Sequence, residues 1–159
     1  MEKMNDLKIA YRFSVIIGGA IIASLFIYVV VIEFIKSQFR PFSGFAHLYN
    51  VGTIRYIFYG LAIVQVIVIR LLRGFLLRKT PEDDLKTLIG KLQKTSLLTS
   101  ALCEGPAIYG LVLFLLSGYS MDFYVLLFVS LVLMFMYFPK YHQWEAWLKK
   151  YGNPNCSFP

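Results

Sequence analysis

Charge is scarce in this chain, and so are the residues that carry out chemistry. Only 16% of its 159 residues are charged, against ~25% in an ordinary soluble chain. There are two cysteines and two histidines. Cys103 lies in an apolar run and Cys156 near the end, neither in a CxxC pair, so no disulfide framework is expected. His47 has no second His, Cys or acid at ligand spacing, and His142 sits in an aromatic belt, so no metal centre is expected. Paired carboxylates, a nucleophile beside a base and a glycine-rich phosphate loop are all missing. Gly18-Gly19 falls inside an apolar stretch, where close packing accounts for it. The expectation is a protein that is not an enzyme and holds no cofactor.

What is abundant is apolar surface: 58% of residues are hydrophobic and 17% aromatic. The charges cluster and leave long uncharged runs between them. About 20 apolar residues at ~1.5 Å each cross a ~30 Å hydrocarbon layer. Lipid offers no partner to an open backbone, so such runs must be helices. The pattern predicts an all-α fold, a four-helix integral membrane bundle forming a single domain over 1–159. Its spans fall at about 13–35, 53–73, 95–116 and 123–138. The first is read as an uncleaved anchor helix, since it is too long for the apolar core of a cleaved leader. Gly19 and Ala23, with Ala20 and Ser24, have the small-xxx-small spacing that permits close helix approach.

Two further helices are expected outside the spans. Thr80-Pro81-Glu82-Asp83 has the form of a helix start, and Leu85, Leu88, Ile89 and Leu92 then give one apolar stripe. This predicts a separate amphipathic helix over 81–94 on the cytoplasmic face. Pro139 ends the fourth span, and residues 140–151 read as an interfacial helix anchored by Trp144 and Trp147.

Net charge is +7, which reflects orientation rather than nucleic-acid binding. In a four-span topology, Lys3, Lys8, Arg12, Arg70, Arg73, Arg78, Lys79, Lys86, Lys91, Lys94, Lys140, Lys149 and Lys150 fall on one side. Lys36, Arg40 and Arg55 fall on the other. The basic side faces the cytoplasm, which puts both termini there.

One carboxylate interrupts the third run. Glu104 is expected near the middle of the bilayer, where an ionisable group is costly and is kept for a pathway, a relay or a pairing. Gly105 and Pro106 follow it and are expected to break the helix. Pro106 has no N–H for the carbonyl of Leu102, which is left free. Ser96, Ser100 and Glu104 recur every four residues as a polar stripe. Gln65, at similar depth in the second run, is expected to hydrogen-bond Glu104. The candidate ion or proton site is therefore Glu104, Gln65, Ser100 and Tyr109.

Glu104-Gly-Pro-Ala-Ile-Tyr-Gly-Leu-Val112 resembles the E-x-x-A-I-Y-G-L-[IV] segment in the ion-binding helix of rotary ATPase proteolipid subunits. The resemblance implies that Glu104 carries a proton or sodium ion and that Tyr109 neighbours the site. It is local. The third run is leucine-rich and contains Phe114, residues 78–94 are long and basic for a proteolipid loop, and no internal repeat is visible. As a whole the chain resembles small four-helix bacterial membrane proteins, which implies the bacterial cytoplasmic (inner) membrane.

Two functions follow as expectations. The first is a structural or accessory subunit of a larger membrane complex, with the bilayer and a membrane-protein partner or a second copy as its partners. The alternative is a proteolipid-like proton- or sodium-handling component working through Glu104.

Overall fold

A computed structural model describes residues 2–39, 42, 44–46, 51–77, 85–142 and 144–146. Four helices account for nearly all of them: α1 Glu2–Gln38, α2 Val51–Leu76, α3 Leu85–Ser117 and α4 Ser120–Tyr137. No strand occurs among the described residues. Each helix contains a stretch long and apolar enough to cross a membrane.

The helices differ in length, and the difference shapes the fold. α1 has 37 residues and α3 has 33, about 55 and 50 Å at ~1.5 Å per residue. α4 has only 18, about 27 Å, close to the apolar thickness of a bilayer. α1 starts at Glu2 because the basic lead before residue 13 contains no proline or glycine to stop it. α3 likewise runs unbroken from Leu85 through the third span. The separate amphipathic helix expected over 81–94 is therefore, from Leu85 onward, the first turns of α3; residues 81–84 lie outside the described residues. Nothing between Lys94 and Thr95 interrupts helical backbone.

The excess length of α1 and α3 meets at the basic end of the bundle. Leu7 and Ala10 of α1, Leu88, Ile89 and Leu92 of α3, and Trp144 after α4 form a buried cluster with Tyr11, Leu77 and Tyr141 packed against it. Leu88 lies 16 residues before Glu104, about 24 Å along the helix. Trp144, expected as an interfacial anchor, is 6% exposed and sits edge-on to Tyr11 at 5.8 Å. It closes a core. Residues 141–142 and 144–146 are helical as expected, while Trp147 lies outside the described residues.

α3 is the central element. It packs against each of the other three helices, and α1 also meets α4. α3 ends at Gly118, whose φ of 77° no β-carbon-bearing residue adopts cheaply. Its N–H donates to the carbonyl of Phe114 at 2.7 Å, satisfying one orphan of the last turn. On that end the N–H of Phe45 donates to the Leu115 carbonyl at 2.8 Å, and Phe42 packs on Phe114 with ring centres 5.1 Å apart. These contacts fold the segment after α1 back onto the end of α3.

Candidate functional site at the centre of the bundle

The polar groups of the interior converge on three consecutive residues of α3. Successive helical residues point about 100° apart, so Leu102, Cys103 and Glu104 face three directions. Each faces a different helix.

Leu102 faces α2. Pro106 lacks the N–H that would bind the Leu102 carbonyl, and the Gln65 amide takes its place: Nε2 donates to that oxygen at 2.6 Å. The helix expected to break at Gly105 and Pro106 is continuous, because the lost backbone bond is replaced from the neighbouring helix. Gly105 makes the approach possible. A β-carbon there would overlap the Gln65 amide. The Gly-Pro pair thus works as one device, proline exposing an acceptor and glycine clearing the way to it. The Gln65 Oε1 is buried without a partner.

Cys103 faces α4, where its carbonyl accepts a hydrogen bond from the Ser130 hydroxyl, which is fully buried. Ser130 lies near the middle of α4, so this contact sits near mid-depth of the shortest span.

Glu104 faces α1. Its Oε1 accepts from Ser24 Oγ at 2.7 Å and from Tyr28 Oη at 2.5 Å. Ser24 also lies 2.7 Å from the Ile21 carbonyl, but one hydroxyl carries one proton. It donates to one of the two acceptors at a time. Ser24 and Tyr28 are one turn apart, so a single face of α1 presents both donors.

The expected Gln65–Glu104 bond is thus replaced by two others, Gln65 to the Leu102 carbonyl and Ser24 with Tyr28 to the acid. Ser100, one turn before Glu104, is buried and is not among these donors. Tyr109 packs on Phe58 of α2 with ring centres 6.1 Å apart. Five residues on from Glu104, it points about 140° away around the helix, so it does not neighbour the acid. Ser24 and Tyr28 were readable in principle: a hydroxyl pair at i, i+4 in an otherwise apolar helix marks a face that seeks an acceptor.

A second polar cluster joins α2 to α4 at the less basic end. Asp122, 2% exposed in the first turn of α4, pairs with Arg55 at 2.6 Å and accepts from Tyr59 Oη at 3.0 Å. Arg55 also lies over the Tyr59 ring at 5.9 Å. Asp122 lies in the first turn of α4. Its signal was the Arg-xxx-Tyr spacing in α2 and an acid where the α4 dipole favours one. On the outside, Glu33 of α1 accepts from Tyr124 of α4 and pairs with Lys36 at 3.0 Å. Among the described residues no three His, Cys, Asp or Glu side chains group as a metal-binding set.

Fold and site together define a class, an all-helical membrane protein whose four helices are pinned by polar contacts around the middle of α3. No protein-family profile, curated protein or solved structure matches this chain.

Proposed function

We propose that this protein is a structural or accessory subunit of a larger membrane complex, with both termini on the cytoplasmic face of a bacterial inner membrane. One observation carries the reading. The mid-depth carboxylate is engaged by Ser24 and Tyr28 of its own chain, while the two residues before it tie α2 and α4. A carboxylate used this way fixes helix register. Lipid provides little hydrophobic drive between helices, so packing and interhelical hydrogen bonds set their arrangement. The stripe of Leu88, Ile89 and Leu92 is spent inside the chain, which leaves a partner the basic side of the same turns, including exposed Lys94.

The alternative is proton or sodium handling at Glu104, supported by a carboxyl and two hydroxyls gathered at one point. The two readings separate in vesicles carrying a proton or sodium gradient and an internal indicator dye. The structural reading expects dissipation no faster than in empty vesicles, and expects Glu104→Gln to keep the fold, because an amide oxygen still accepts from Ser24 and Tyr28. Gradient-driven flux that disappears in Glu104→Gln would overturn it. The structural reading further expects the protein, extracted from its native membrane, to migrate as a larger assembly that Lys86→Glu/Lys94→Glu disrupts.

A further inference from the structure

At the basic end, between α2, α3 and the segment after α4, lies a cavity of about 160 Å³. Arg73, Thr95, Ser96 and Thr99 supply its polar lining, and Leu77, Leu92 and Trp144 are among its apolar walls. Arg73 is held across the Tyr137 ring at 5.3 Å. Among the described residues no carboxylate pairs with it. Arg73 is half-buried and shares the cavity lining with the three hydroxyl side chains.

The level of the cavity narrows the choice of anion. Arg73 lies eight residues beyond Gln65, about 12 Å from the centre, and Thr95 lies nine residues before Glu104, about 13 Å from it. Half of a ~30 Å apolar layer ends just beyond, where headgroup phosphates begin. A guanidinium fork matches phosphate oxygens two at a time. Hydroxyls complete the shell, and the apolar walls suit a glycerol backbone. Thr95 already donates to the Lys91 carbonyl at 2.7 Å, which leaves Ser96, Thr99 and Arg73 as donors. We propose that this cavity is a phosphate-binding site for the headgroup of an anionic phospholipid, with Arg73 as its principal ligand. Basic pockets between spanning helices are where such headgroups settle.

The test uses the full chain purified in neutral detergent and delipidated, with phosphatidylglycerol, phosphatidylcholine or inorganic phosphate added back. Retained lipid is read by native mass spectrometry and thermal stability by circular dichroism. Wild type should retain and be stabilised by phosphatidylglycerol over phosphatidylcholine. Arg73→Gln should lose at least about tenfold of that affinity. Arg70→Gln removes the same charge from an exposed neighbour outside the cavity and should stay within about twofold. If Arg73→Gln does not fold, Ser96→Ala/Thr99→Val keeps the cation and its stacking and should still weaken retention. Equal losses in Arg73→Gln and Arg70→Gln overturn the site in favour of a diffuse basic surface. Stabilisation by inorganic phosphate equal to that by phosphatidylglycerol overturns the lipid as occupant.

Discussion

Replacing Gln65 with leucine tests the central device most directly. The amide donates to a carbonyl that Pro106 has deprived of its usual partner. Losing a hydrogen bond costs about 1 kcal/mol net, and leaving a buried acceptor unsatisfied costs about 1–3 kcal/mol. Interhelical hydrogen bonds within membranes average about 0.6 kcal/mol and reach about 1.7, which argues for the lower part of that range. Leucine also removes the unpartnered Oε1, recovering part of the loss. The expected destabilisation is about 1 kcal/mol and not above about 2. The decisive measurement is its dependence on Pro106. In a Pro106→Ala background, the restored N–H takes the Leu102 carbonyl, and Gln65→Leu should cost nothing or stabilise. Four proteins, wild type, the two single variants and the double, are unfolded reversibly in mixed micelles and followed by circular dichroism. The cycle cancels the packing cost of removing the proline ring and should return a coupling of about 1 kcal/mol. An equal penalty for Gln65→Leu in both backgrounds would refute the exchange of a backbone donor for a side-chain donor.

Gly105→Ala should mimic Gln65→Leu, since its methyl displaces the amide; it should cost about 1–2 kcal/mol in wild type and much less beside Gln65→Ala, measured by the same unfolding. Arg55→Gln should destabilise by about 1–2 kcal/mol, because it leaves Asp122 buried without its cation while the half-exposed arginine gives up a partly screened pairing. Adding Asp122→Asn should restore most of that loss; a double variant worse than the single would count against the pairing. Trp144→Ala should cost about 3 kcal/mol by emptying the end core. Wild-type Trp144 emission should also resist water-soluble quenchers, and ready quenching of both tryptophans would contradict its burial.

The four helices were legible because hydrophobic length is a local property. A run such as Phe13–Ile35 or Phe123–Phe138 announces a spanning helix without reference to any other residue. Glu104 was legible as an anomaly for the same reason, and so was the orphaned Leu102 carbonyl, which follows from Pro106 alone. The small-residue spacing around Ser24 marked a contact face but not its chemistry. The extent of α1 and α3 was less readable: the first span was expected to begin near residue 13 and the amphipathic stripe to be a separate helix, although no residue at either junction stops a helix.

The sequence by itself determined what must be satisfied: an acid, an amide, a carbonyl without its N–H, and a pair of hydroxyls one turn apart, all in a medium that supplies no water to them. Tertiary structure decided who satisfies whom. Gln65 and Ser24 both lie at a depth that could meet Glu104, and only the rotation of α1 and α2 about their axes, set by packing on α3, assigns the acid to Ser24 and Tyr28 and the carbonyl to Gln65. Rotation of one helix against another is a collective result of side-chain packing over its whole length, and no short stretch of sequence encodes it. The same physics moved Trp144 from an expected anchor to a core, because whether a tryptophan meets lipid or protein depends on where α1 and α3 end in space.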